Sequence, residues 1–258
     1  MPVRVVMGLL VAMTTLFWRP GSASAEIELL VSAASSLADS FKQVGKEYEA
    51  KNPGVKISFN FAATGSLLQQ IEQGAPVDIF ASADQQSMDK AEKGSFILPE
   101  SRVDFVGNSL VLIRPVSMTG VKALADLQSA QVQRISLGNP TSVPAGRYAK
   151  EALEKVGIWG ALAPKFVMAI SVKQALEYVM RGEVEAAFVF GSDAAVAQER
   201  VRVVTEIPTV TPIVYPLAVV TGSVKREEAQ AFIRYLQGAE AQAIFVTYGF
   251  KKTEITQP

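Results

Sequence analysis

The chain has 258 residues, 25 basic and 25 acidic side chains, 49% hydrophobic content, and neither histidine nor cysteine. That is enough apolar material for one large domain or two lobes, and the balanced charge is not the footprint of a nucleic-acid binder. The two missing residue types exclude a disulfide framework, a lipid-modified N-terminal cysteine, a thiol nucleophile, a Ser-His-Asp triad and most zinc sites.

Residues 1–25 read as a secretory signal: Arg4 near the start, an apolar run over 5–16, and Ala23-Ser24-Ala25 as a small-residue cleavage site. The run is too short to span a membrane. Its removal leaves 23 basic against 25 acidic residues. A periplasmic protein that is not membrane-anchored is expected.

Residues 26–31 suit a strand, and Leu37, Phe41, Val44 and Tyr48 recur on one helical face. Between them lies Ser32-Ala33-Ala34-Ser35-Ser36-Leu37-Ala38-Asp39-Ser40. Ser36 and Asp39 have capping-box spacing; the same place, with unpaired backbone N–H groups and a helix dipole, also suits an anion. Residues 55–61 alternate as a strand and run into Ala62-Ala63-Thr64-Gly65-Ser66, after which Leu67, Leu68 and Ile71 mark a helix ending at Gly74. Ser66 and Gln69 again have capping-box spacing. Residues 76–81 form a third short strand, and Ser82-Ala83-Asp84 leads into a capped helix over 85–93. This alternation predicts parallel βαβ units with ligands at the carboxyl ends of the strands. Residues 96–107 show no regular pattern; 109–113 are a continuous apolar strand.

The rhythm then restarts. A strand at 135–137 meets the turn-rich loop 138–146, with Pro144 at or just before a first helical turn, and a helix over 148–156. A strand at 166–170 passes through Ser171-Val172-Lys173 into a helix carrying Ala175, Leu176 and Val179. A strand at 186–190 is followed by Gly191-Ser192-Asp193 as a helix cap. The last strand, 214–220, precedes helices over 225–236 and 239–248. The apolar runs at 109–113 and 214–220 bracket the middle of the chain. They predict an α/β protein of two lobes, each a mostly parallel sheet flanked by helices, joined by two crossover strands, with the C-terminal helices returning to the first lobe. Residues 26–107 plus 216–258 form one expected lobe, 108–215 the other.

Seven blocks in order carry a family resemblance. They include Ala33-Ala34-Ser35-Ser36-Leu37, Phe61-Ala62-Ala63-Thr64-Gly65-Ser66, Gly74-Ala75-Pro76-Val77-Asp78, Val143-Pro144-Ala145-Gly146-Arg147 and Gly191-Ser192-Asp193-Ala194. The mature chain resembles the molybdate-binding proteins of ATP-driven importers, which are two-lobed periplasmic binding proteins. The resemblance implies capture of molybdate or tungstate and delivery to a membrane permease with its ATPase, by a monomer without enzymatic activity or cofactor, the metal being held only as its oxyanion. It places the oxyanion ligands on Ser36, Thr64, the backbone of Ala145 and the backbone of Val172. The fifth family position, commonly a tyrosine, falls on Phe190, which has no hydroxyl to donate; the closing contact is then lost, is replaced by another donor such as Ser35 or Ser66, or marks a shifted specificity.

Rival readings are a binder of another oxyanion or small carboxylate, such as sulfate, and a secreted hydrolase using carboxylates or the S-x-x-K pair Ser87 and Lys90. Arg147 reads as a rim or structural residue, because a buried charge needs its own partner. Lys173 and Asp193 read as ordinary helix-terminal charges.

Overall fold

The structure is a computed structural model that describes residues 26–253, so the expected signal segment lies outside the described residues. The first run of elements is β1 (Ile27–Ala34), a 3-10 turn (Ser35–Leu37), α1 (Ala38–Lys51), β2 (Val55–Ala62), α2 (Thr64–Glu72), β3 (Ile79–Ala81), α3 (Gln85–Lys93) and β4 (Val103–Asn108). The second is β5 (Leu110–Pro115), β6 (Ile135–Gly138), α4 (Pro144–Lys155), α5 (Trp159–Leu162), β7 (Phe166–Ala169), α6 (Val172–Met180), β8 (Ala186–Phe190), α7 (Gly191–Val196) and β9 (Val201–Ile207). The chain closes with β10 (Ile213–Val219), α8 (Arg226–Gln237) and α9 (Ala239–Thr247).

Two sheets of the same design result, ordered β2-β1-β3-β10-β4 and β7-β6-β8-β5-β9. In the first, β1 pairs in parallel with β2 and β3, and β10 is antiparallel to both β3 and β4. In the second, β6 pairs in parallel with β7 and β8, and β5 is antiparallel to β8 and β9. One strand is thus reversed in each otherwise parallel sheet. These are the two apolar runs that bracket the sequence, and each is reversed because it enters its sheet directly from the other one. The chain crosses at Asn108-Ser109, between β4 and β5, and again at 208–212, between β9 and β10. The crossings are therefore the short connections before the bracketing runs, while β5 and β10 lie wholly within one sheet each.

Two strands escape the sequence pattern. β4 is read there as irregular, yet Phe105, Val106, Gly107 and Asn108 are all buried beside β10. β9 is an edge strand whose middle residues are partly or fully exposed, so it carries neither alternation nor an apolar run. Helix starts also shift. The Ser36 and Asp39 capping box does not form: a 3-10 turn precedes α1, and neither start has a side-chain cap. α2 opens at Thr64 with Ala63 as its cap, which puts Ser66 inside the helix rather than at a capping box. α4 opens at Pro144, and Phe190 is the N-cap residue of α7, so Gly191-Ser192-Asp193 is its first turn.

α8 and α9 pack back on α1 and β10. An aromatic column runs from there across to the second sheet. Phe41 meets Phe245, Phe245 meets Phe250, Phe250 meets Tyr215, Tyr215 meets Phe190, and Phe190 meets Tyr148, with ring centroids 5.6–6.4 Å apart. Tilted and edge-on pairs of this kind contribute about 0.5–1.5 kcal/mol each beyond area burial. Phe190 is therefore an element of continuous packing between the lobes. The loop before α4 is clamped on β6 by close approach: a Cβ on Gly146 would stand 1.7 Å from the Gly138 carbonyl oxygen, a distance no side chain tolerates.

Candidate functional site

The carboxyl ends of β1, β2, β6, β7 and β8 lead into the segments singled out in the sequence. Thr64, fully buried, is the first residue of α2; its Oγ1 accepts a hydrogen bond from the Ala83 N–H at 3.1 Å, which leaves its own proton to donate elsewhere. Ser36, 5% exposed, sits in the 3-10 turn and shares a 2.9 Å hydrogen bond with the Tyr215 hydroxyl. Ala145 and Val172 are buried in the first turns of α4 and α6. Phe190 ends β8 and is 1% exposed, its ring edge-on to Tyr215 at 5.6 Å. Ser35 is buried beside Ser36, whereas Ser66 is only partly buried.

How these helices begin is informative. The N-cap residues are Ala63 for α2, Val143 for α4 and Ala34 for the 3-10 turn, none of which has a side-chain acceptor. Side-chain caps are few in this chain: Asp84 accepts from Ser87 N at 2.8 Å to start α3, and Ser171 accepts from Gln174 N at 3.1 Å to start α6, the start that carries Val172, while α1, α5, α7, α8 and α9 open without one. The first N–H groups of a helix have no intrahelical partner, and at these buried starts no side-chain cap serves them; one, Gly65 N, is taken by Ser142 O across the seam. The positive ends of the helix dipoles lie there too. An arrangement of this kind suits negative charge met by backbone donors.

The lobes meet around these segments. Gly65 N donates to Ser142 O at 3.0 Å, joining the start of α2 to the loop before α4. Arg147 on α4 pairs with Asp84, and also donates to Pro140 O at 3.2 Å. Lys173 on α6 reaches Asp39 on α1 at 2.6 Å. Arg147 is thus committed to a partner across the seam. Lys173 and Asp193 are more than helix-terminal charges. Asp193 is fully buried, its Oδ1 lies 3.6 Å from Lys173 Nζ, and neither carboxylate oxygen has a hydrogen-bond partner among the described residues. Burial pushes its pKa up to about 6 against the pull of Lys173. Burial lowers the Lys173 pKa, but Asp193 and Asp39 outweigh it and hold the ammonium above its ordinary value. Arg147 and Lys173 thus both face carboxylates at the seam. Sequence spacing does not bring Lys173 to Asp39, 134 positions away; only the closed seam does.

The S-x-x-K pair does not form a catalytic dyad. Ser87 is buried with its Oγ 3.4 Å from Arg147, while Lys90 is exposed on α3.

Two α/β lobes of matching topology, joined by two short crossings and meeting over buried, uncapped helix starts, define a two-lobed solute-binding protein. The model of the bacterial extracellular solute-binding protein family matches residues 29–251, and the chain belongs to that family. It is 39% identical over 232 residues to the molybdate-binding protein ModA of Escherichia coli K12, covering 87% of this chain and 89% of the relative. It is 38% identical over 228 residues to a putative ABC transporter substrate-binding lipoprotein, YvgL, of Bacillus subtilis 168, with 87% and 86% covered. Among solved structures, the substrate-binding domain of a putative molybdenum ABC transporter from Clostridium difficile superimposes with a TM-score of 0.69 at 37% identity, over 88% of this chain and all of that one. The periplasmic molybdate-binding protein of Azotobacter vinelandii shares the fold, with a TM-score of 0.78 at 24% identity, over 88% of this chain and all of that one.

Proposed function

We propose that this protein captures molybdate or tungstate between its lobes in the periplasm and delivers it to an ABC importer. The carrying observation is the set of buried helix starts with side chains that cannot cap them, gathered at one seam from both lobes. The relatives named as molybdate-binding proteins support the same ligand class. In this reading the anion takes the hydroxyls of Ser36 and Thr64 and backbone N–H groups at Ala145 and Val172. Phe190 contributes packing alone. Residues 1–25 are the export signal, and the two lobes close on each other by bending at Asn108-Ser109 and 208–212, so that β10 (Ile213–Val219) goes whole with the first lobe and the division expected at 215/216 moves back to 212/213.

Burying a dianion costs at least several kcal/mol unless its oxygens are satisfied. Charge-assisted hydrogen bonds contribute on the order of 1.5–3 kcal/mol each, so about six or seven donors offset that cost, with the helix dipoles adding to them. Selection against sulfate, also a dianion, then rests on cavity size: donors spaced for the longer metal–oxygen bonds leave sulfate under-coordinated. Phosphate retains a proton near neutral pH and meets donors where it needs an acceptor. Isothermal titration with molybdate, tungstate, sulfate and phosphate tests the reading. Heat with the first two at one ligand per chain is expected, and no heat with either overturns it. Heat with sulfate or a small carboxylate alone would transfer the site to that ligand.

A further inference from the structure

The hydrogen bonds behind Ser36 have a direction. Asn108, at the crossing between β4 and β5, accepts through Oδ1 from Ser109 N at 2.9 Å and from Ser192 N at 3.3 Å. Both are backbone donors, so the oxygen of the amide must face them and Nδ2 must face the other side. There Nδ2 meets two hydroxyl oxygens, Ser192 Oγ at 2.9 Å and the Tyr215 hydroxyl at 3.1 Å. The Tyr215 hydroxyl thus accepts from an amide that has only protons to offer. Its remaining neighbour is Ser36 Oγ at 2.9 Å, and its own proton goes there. Tyr215 is fully buried, so water does not compete for that proton. Burial, with the nearby Asp193 charge, also holds the phenol well above its ordinary pKa, and it stays a donor.

Ser36 Oγ is then an acceptor toward Tyr215. Among the described residues its hydroxyl has no other hydrogen-bond partner, so its proton remains available for a ligand. Thr64 follows the same logic by a simpler route, since the Ala83 N–H occupies its oxygen. Sequence alone gives no hint of the Tyr215 role, because it lies 179 positions from Ser36 and reads as one more apolar residue of a strand.

We propose that Tyr215 is a positioning residue for the bound oxyanion: oriented by Asn108, it donates to Ser36 Oγ and commits the Ser36 hydroxyl to donate to the anion. The inference rests on the oxyanion reading given above. It makes Ser36 a donor in advance of binding, so no hydroxyl reorientation accompanies capture. It also anchors that orientation at the crossing between the lobes, since Asn108 holds Ser109 and Ser192 on one side and Tyr215 on the other.

The test is a double-mutant cycle on the mature protein with molybdate as the probe, using Tyr215→Phe, Ser36→Ala and the double variant. Tyr215→Phe removes one oxygen and keeps the ring between Phe190 and Phe250, and the melting temperature of each unliganded variant is measured alongside as the record of purely structural damage. Tyr215→Phe in the wild-type background is expected to raise Kd about tenfold, and in the Ser36→Ala background less than threefold, because the group it orients is gone. An equal factor in both backgrounds, or no change in either, overturns the positioning role while leaving the oxyanion reading intact. Failure of the unmutated protein to bind molybdate or tungstate overturns both.

Discussion

Gly65→Ala perturbs closure and leaves each lobe intact. A Cβ built on Gly65 stands 2.9 Å from both Cα and the carbonyl oxygen of Ser142, about half an ångström inside ordinary contact, and both atoms are backbone of the other lobe. Gly65 N also donates to that carbonyl at 3.0 Å. The lobes must therefore stand off at the point where α2 faces the loop before α4. Overpacking of this kind costs about 1–3 kcal/mol, and loss of the hydrogen bond about 0.5–1.5 kcal/mol. Together these weaken the closed, ligand-bound form by about 1.5–4.5 kcal/mol, a rise in Kd of about 10- to 2,000-fold. The open form does not make the contact, and alanine is the better residue in a helix by up to about 1 kcal/mol. The unliganded melting temperature should accordingly hold or rise slightly. Isothermal titration with molybdate gives the affinity, and small-angle scattering with and without ligand gives the extent of closure. A Kd within threefold of wild type, or a fall of several degrees in unliganded melting temperature, would refute the reasoning.

Thr64→Val keeps the shape but removes one donor and strands the Ala83 N–H; binding should weaken by about 1.5–3 kcal/mol, with Thr64→Ser restoring most of it in the same titration. Phe190→Tyr should bind at least as tightly as wild type, because the ring already lies edge-on between Tyr215 and Tyr148; weakening beyond tenfold would place the ring where the anion belongs. Asp193→Asn tests the buried carboxyl. Its pKa is raised from an ordinary 3.8 to about 6, so the native state holds a proton that the unfolded chain releases, and stability falls as pH rises across that window. Urea unfolding between pH 4 and pH 7 should show wild type losing on the order of 2–3 kcal/mol relative to the variant; parallel curves would sink the assignment.

Much of the candidate site is legible in the chain because local chemistry shapes it. A strand that ends in Ser, Thr, Ala or Gly and runs at once into a helical pattern puts small side chains and open N–H groups at one place; periodicity locates those stretches, while the choice of Ser36, Thr64, Ala145 and Val172 within them is what the family resemblance implies. The same local rules also misread those places. Ser36 with Asp39 and Ser66 with Gln69 have capping-box spacing, yet Ala34 and Ala63 occupy the cap positions, because nothing in a four-residue spacing says which residue leaves the strand last. β9 is lost for a related reason: an edge strand at the surface has no buried face to impose alternation on its sequence.

The amino-acid sequence by itself determined the alternation of strands and helices, the placement of hydroxyls at strand ends, and the absence of any histidine or cysteine chemistry. Only the tertiary structure decided what those groups face. Pairing of Arg147 with Asp84, contact of Lys173 with Asp39, burial of Asp193, and the chain of hydrogen bonds from Asn108 through Tyr215 to Ser36 all join residues far apart in the chain. Hydrogen-bond direction and charge compensation depend on a few ångströms of through-space distance, and the two crossings between the lobes set that distance, where sequence periodicity carries no information about it.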